Sequence, residues 1–318
     1  MYFTSAILNA ILPVYLIMGA GLFLRRFKIL TPHADSSLMS LSVNVLTPCL
    51  IFSAIIGNQA LNKPENLFLP PIFGFITISL GCLLGIPLAR LAGLKTTQSI
   101  HSFAYAMGIY NWGFIPIPLI ISIFNKEVTG VLFVFNLGVQ IAMWTVALLI
   151  LTGSYKNFTQ SWKLLLNPPI SSVVVAILLN LAGASAWMPH IITKTIEMLG
   201  ACAIPLGLLL VGATFMDCLT KTKFFSDWRF NVITLLGRLC ILPLSMLVFA
   251  FLPLPDELRN VLIIQAAMPA GVMTVVITRH YGGDDLCATR IAVITSIAGI
   301  ITIPLWIHFA LNFFDMHI

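Results

Sequence analysis

Charge is what this chain has least of. Asp, Glu, Lys and Arg together make up 9% of its 318 residues, against 59% hydrophobic residues and a mean hydropathy of +1.00. A soluble domain typically carries about 25% charged residues, so a core of this size could not be covered for water. Metal-ligand spacing is missing too. Cys49, Cys82, Cys202, Cys218, Cys240 and Cys287 stand singly in or beside apolar stretches, with no CxxC and no Cys/His pattern suited to zinc, and they read as small packing residues. A phosphate-cradling glycine loop and a nucleophile elbow are also lacking, which excludes a self-powered ATPase. The polar connectors leave no room for a soluble domain. An integral membrane protein remains.

Runs of roughly 20 apolar residues cross a hydrocarbon core about 30 Å thick. Ten such runs are present: Ser5–Leu24, Ser37–Ile56, Phe68–Ala89, Ile100–Phe124, Val131–Leu151, Pro169–Trp187, Ile196–Met216, Phe230–Phe251, Leu258–His280 and Leu286–Phe309. No basic residue precedes the first, whereas "RRFK" follows it, which argues against a cleavable signal and for an outside N-terminus. Threading ten spans from there puts Arg25, Arg26, Lys28, Arg90, Lys95, Lys156, Lys163, Lys221, Lys223, Arg229, Arg279 and Arg290 inside. Only Lys63, Lys126, Lys194 and Arg259 fall outside. Twelve against four obeys the positive-inside rule, so both termini are expected outside the cytoplasm. The formal charge of +6 reflects this bias and implies no nucleic-acid partner.

The spans divide five and five about the connector "SYKNFTQSWK", giving expected repeats at 1–155 and 156–318. An odd number of spans per half makes the halves antiparallel, the inverted-repeat plan of many secondary transporters. Midspan prolines recur in matching places. Pro48 and Pro205 lie in the second span of each half, and Pro116, Pro118 and Pro269 in the fourth. Proline lacks an N–H and clashes with the carbonyl four residues back. Pro116 therefore frees the carbonyl of Trp112, Pro118 that of Phe114 and Pro269 that of Gln265. Backbone groups freed at that depth need a partner from protein, water or ligand. The stretch "YNWGFIPIPL" predicts a half-helix starting near Pro116, and Pro269 with Gly271 predicts its counterpart. Two half-helix N-termini meeting at the midplane would bind an anion without a fixed charge. Ordinary proline kinks are the alternative.

Asn111 and Gly113 stand beside the first break, and the Asn111 amide can donate two hydrogen bonds to a carboxylate. Asn136 and Gln140 share a helix face and either line the site or bond a neighbouring helix. Asn44 lies four residues before Pro48, while Gln265 and Thr274 flank the second break. Arg238 lies well inside its span. It either attracts anions from the cytoplasmic side or snorkels to the headgroups. Exposure is the expected state of Glu197 and Asp217, and a headgroup position that of His101, His280 and His308.

The segment "QAAMPAGVMTVVITRHYGGDDLCATRIAVITSIAGIITIPLW" resembles the last two spans of the auxin efflux carrier family, which includes the plant PIN exporters and bacterial carriers of malonate or malate. Gln265, Pro269, Gly271, Tyr281 and Pro304 carry the match. Asn111 with Pro118, Gln140 with Trp144, and Arg238 with Pro243 extend it over essentially the whole chain. The resemblance implies an all-α, bile-acid-symporter-like fold in which two broken helices cross. It also implies elevator-like or rocking alternating access, a bacterial inner-membrane location and, by analogy, a homodimer. Two departures stand out: the long hydrophilic loop of the plant members is absent, and the third span carries no acid or lysine. The reading is a secondary carrier of a mono- or dicarboxylate such as malonate or malate. It uses no cofactor, and H⁺ or Na⁺ are the candidate coupling ions. An anion channel or uniporter is the alternative; an enzyme would need paired acids or a metal site deep in the spans.

Overall fold

The computed structural model describes residues 2–154, 167–220 and 227–314. The boundary at 155/156 and Lys156, Lys163, Lys221 and Lys223 lie outside the described residues. Apart from short turns at Ala60–Asn62 and Ala184–Trp187, twelve helical segments organise the described residues. They are α1 (Tyr2–Arg26), α2 (Pro32–Ile55), α3 (Glu65–Leu91), α4 (Thr97–Gly108), α5 (Pro116–Ile123) and α6 (Lys126–Thr152), then α7 (Pro168–Leu181), α8 (His190–Leu219), α9 (Trp228–Phe251), α10 (Asp256–Ala266), α11 (Met273–His280) and α12 (Asp285–Phe313). Side-chain caps start five of them. Thr96, Asn125, Asn167, Asp227 and Asp284 each accept from the backbone N–H three residues on, which satisfies one of the orphan donors of a helix N-terminus.

Among the described residues, seven helices are long and apolar enough to cross a membrane: α1, α2, α3, α6, α8, α9 and α12. The other three apolar runs differ for physical reasons. The fourth is split into α4 and α5, and the ninth into α10 and α11, by breaks of seven residues at 109–115 and six at 267–272 that coincide with the proline-bearing stretches. The sixth is interrupted after the 14 residues of α7, because Gly183 takes a left-handed φ of +71° that ends the helix, and only a single turn at Ala184–Trp187 follows.

Proline position alone does not decide between a kink and a break. Pro48 sits just past a π-turn at Ser42–Leu46, and α2 continues through it. Pro205 follows a hitch at Cys202, and α8 continues likewise. α12 runs unbroken across Pro304. In α9, Pro243 frees the carbonyl of Leu239, which accepts instead from the Trp306 indole at 2.6 Å.

Small residues set the packing. A Cβ on Gly138 would stand 1.7 Å from the Pro71 carbonyl oxygen and one on Gly74 2.2 Å from that of Phe135, so α3 and α6 touch backbone to backbone. Gly212 against Met18 and Gly21 against Leu209 do the same between α8 and α1, at 1.9 and 2.1 Å. Such contacts replace the hydrophobic drive that lipid removes. The resulting grouping cuts across the chain's two halves. α2 packs on α7 and α8, and α1 packs along α8, whereas α3, α4, α6, α9, α10 and α12 surround the two breaks. Of the cysteines, Cys82, Cys218 and Cys287 are buried as expected, but Cys202 and Cys240 face outward.

Candidate functional site: the helix crossing

The two breaks cross and hydrogen-bond to each other. Tyr110 and Ala270 form an antiparallel bridge in which the Asn111 N–H donates to Pro269 O at 2.8 Å and the Gly271 N–H to Ile109 O at 2.9 Å. A Cβ on Gly271 would meet Tyr110 O at 3.1 Å, so glycine eases the close approach of the two breaks there. Thr295 donates its hydroxyl proton to Ile291 O and accepts from the Ala270 N–H. The Tyr110 hydroxyl lies 2.9 Å from that of Thr77.

The carbonyls freed by proline find side-chain partners. Trp112 O accepts from both Asn136 Nδ2 and Gln265 Nε2, each at 3.2 Å, and Gln265 O accepts from the Met268 N–H. Arg238 serves the chain ends arriving at the crossing. Its Nε and Nη2 donate to Met268 O at 3.0 and 2.9 Å, and its Nη1 donates to Met107 O at 3.1 Å. The guanidinium also lies 5.2 Å above the Tyr110 ring, and the residue is 1% exposed. Burial excludes the snorkelling expected as one alternative for Arg238. A π-turn at Gly237–Ile241 turns it into the protein, so it neither snorkels nor lines the cavity described next.

A cavity of about 660 Å³ opens between the crossing and the α1, α2, α7, α8 group. Asn111, Gly113, Asn136, Gln140, Gly271 and Thr274 all line it, so six of the sequence candidates are brought together. Asn111 Oδ1 accepts from the Ile115 N–H, which leaves its amide NH₂ as the end available to the cavity. Gln140 Oε1 accepts from Asn167 Nδ2 at 3.1 Å, and the Thr274 hydroxyl donates to Gly271 O. The N–H groups of Trp112, Gly113, Phe114, Val272 and Met273 have no hydrogen-bond acceptor among the described residues, and all five residues line the cavity. Trp112, Gly113 and Phe114 lie in the break just before α5, whose own first turn holds Pro116 and Pro118, without N–H groups, and Ile117, whose N–H donates to Gly113 O. Val272 and Met273 are orphan donors at the start of α11, where the helix dipole is positive. Charged lining groups sit at one end only: Asp35, Asp217 and Arg279. Asp35 and Asp217 both pair with the buried Arg25, and Arg279 pairs with Asp285 at 2.7 Å.

Other candidates lie elsewhere. Asn44 is exposed, and its amide donates to the Ser40 hydroxyl, so the wide turn before Pro48 carries it away from the cavity. Pro116 and Pro118 shape the first turn of α5, and Pro269 contributes its carbonyl to the crossing. Gln265 is fully buried behind Trp112. Asp217 joins the cavity mouth, in contrast to the simple exposure expected, whereas Glu197 is exposed and pairs with Lys194 at 3.0 Å. Asn167, Thr47 and Trp144 line the cavity. Asn167 was not singled out in the sequence; its place before two prolines, a helix-start pattern, was the available signal.

Comparison with known proteins points to membrane transport. A model of the family described as membrane transport protein matches residues 6–161 and 157–307. The chain belongs to this family, the auxin efflux carriers that the sequence resembles. Relatives in the family include a protein named as an uncharacterized transporter from Methanothermobacter thermautotrophicus, 23% identical over 302 residues that cover 94% of this chain and 96% of that one. Another, also named as an uncharacterized transporter, comes from Methanocaldococcus jannaschii and is 22% identical over 310 residues, 96% and 99% of the two chains. Transport across a membrane, rather than catalysis, is what this family does.

Proposed function

We propose that the protein is a secondary carrier of a small carboxylate, of the size of malonate or malate, which binds where the two broken helices cross. One observation carries the proposal: N–H groups without an acceptor among the described residues, in the break before α5 and at the start of α11, line a single cavity together with the Asn111 amide. Helix N-termini are ready-made anion sites. In a low-dielectric surround their partial charges suffice without a fixed cation.

Shape favours a carrier over an anion channel. The charged residues lining the cavity are those at the arginine-rich ends of the helices. The opposite connectors, with Lys63, Lys126, Lys194 and Arg259, contribute no lining residue. A channel needs a continuous pore, whereas a cavity blind at the crossing is one half of an alternating-access cycle. With both termini outside a bacterial inner membrane and ten spans in two inverted repeats, 1–155 and 156–318, this mouth faces the cytoplasm. The moving parts are then the crossing-bearing group and the α1, α2, α7, α8 group, because the cavity lies between these and not between the chain's halves.

A thermal-shift panel of mono- and dicarboxylates and their uncharged amides tests this reading. A saturable rise in Tm with carboxylates alone is expected. Asn111→Ala should weaken that binding about 10- to 100-fold, the worth of a hydrogen bond to a charged group at roughly 1.5–3 kcal/mol. Absence of any carboxylate shift, or unchanged affinity in Asn111→Ala, would overturn it.

A further inference from the structure

A break in a membrane helix makes two kinds of orphan. The N–H groups leaving the crossing suit an anion, as argued above; the carbonyls arriving at it suit a cation. In transporters with broken helices, such C-terminal ends and unwound carbonyls are where a coupling Na⁺ is held. In this protein the two arriving segments, α4 and α10, end in carbonyls already taken. Met107 O and Met268 O both accept from the guanidinium of Arg238, which is 1% exposed and covered by the Tyr110 ring. The position is built for this side chain. A Cβ on neighbouring Gly237 would lie 2.6 Å from Met107 Cε, so the missing side chain there leaves room for the tip of Met107 against α9. The π-turn at Gly237–Ile241 then rotates the arginine between the two carbonyls.

We infer that the Arg238 guanidinium is a resident cation occupying the place of a coupling ion, so that the crossing binds its anion without Na⁺. Three donated hydrogen bonds and one fixed charge satisfy both helix ends, one from each half of the chain. A metal ion would need those same two oxygens. Arg238 is therefore a positioning residue. It acts on the anion through the crossing whose backbone it holds, and the inference rests on the carrier reading given above.

The test uses the purified full-length protein and two variants, Arg238→Ala and Arg238→Lys. Thermal unfolding is followed in choline, sodium and guanidinium chlorides at constant, low millimolar salt. Wild type should unfold at the same temperature in choline and sodium. Arg238→Ala should unfold lower in choline and recover saturably, by roughly 2–4 °C, when Na⁺ or guanidinium enters the vacated site. Arg238→Lys keeps the charge and should remain indifferent to Na⁺. A saturable Na⁺ stabilisation of wild type overturns the inference, and this arm needs no variant to fold. A cation response in Arg238→Ala no larger than that of wild type also overturns it. Adding malonate to each arm separates the two proposals. No carboxylate shift in any salt removes the carrier reading and leaves the cation comparison standing. A carboxylate shift that requires Na⁺ in wild type removes this inference and leaves the carrier standing.

Discussion

At the scale of single residues, the crossing shows how one freed carbonyl recruits its neighbours. Trp112 O is shared by Asn136 and Gln265, side chains 24 and 153 residues away. Gln265 also donates to Asn136 Oδ1 at 3.5 Å. Either amide can be lost while the carbonyl keeps a partner; losing both leaves a buried acceptor bare, at about 1–3 kcal/mol. Asn136→Ala and Gln265→Ala should therefore each lower Tm modestly, and the double variant by more than their sum, a coupling of the kind expected for residues sharing a partner. Strict additivity in thermal melts would show that they do not serve one group. Asn111 was legible in the sequence because it stands beside a proline break. The role of Arg238 was not, because the carbonyls it binds lie 30 and 131 residues away and only folding brings them together.

At the scale of elements, the sequence marked where helices could break but not where they do. Every midspan proline frees a carbonyl. Whether the helix continues depends on donors supplied by other helices, which a linear reading does not see. α9 is the clearest instance, since it passes through Pro243 while the indole of Trp306 on α12 meets Leu239 O. Trp306→Phe keeps the ring and removes that donor. The expected cost is about 1–3 kcal/mol, read as a drop of several degrees in Tm with carboxylate affinity nearly unchanged, because Trp306 does not line the cavity. An unaltered melt would mean that the α9 turn satisfies itself. Gly271→Val addresses the break instead. Its Cβ would press on Tyr110 O at 3.1 Å, and overpacking typically costs about 1–3 kcal/mol. Here stability and carboxylate affinity should fall together, since the same bridge sets the spacing of the α5 and α11 N-termini. Loss of stability with affinity intact would detach the crossing from the binding site.

At the scale of the whole molecule, hydropathy and charge made the membrane class legible, and the paired prolines located the crossing. The grouping of helices was not legible, because it depends on glycine contacts such as Gly138 with Pro71 and Gly212 with Met18 that join segments distant in sequence. That grouping makes a claim about access. Ser36 and Thr47 line the cavity at its mouth and farther along α2, whereas Gly183 lies beyond the far end of α7. In a variant without native cysteines, a cysteine at Ser36 should react with a membrane-impermeant thiol reagent only from the cytoplasmic side, and one at Gly183 only from outside. Thr47→Cys should react from the cytoplasmic side and be slowed by saturating malonate, since the anion would sit between it and the crossing. Labelling of Ser36→Cys from outside would reverse the orientation deduced from the basic residues. Labelling of Thr47→Cys from both sides at equal rates would replace a blind cavity with a pore, and a carrier with a channel.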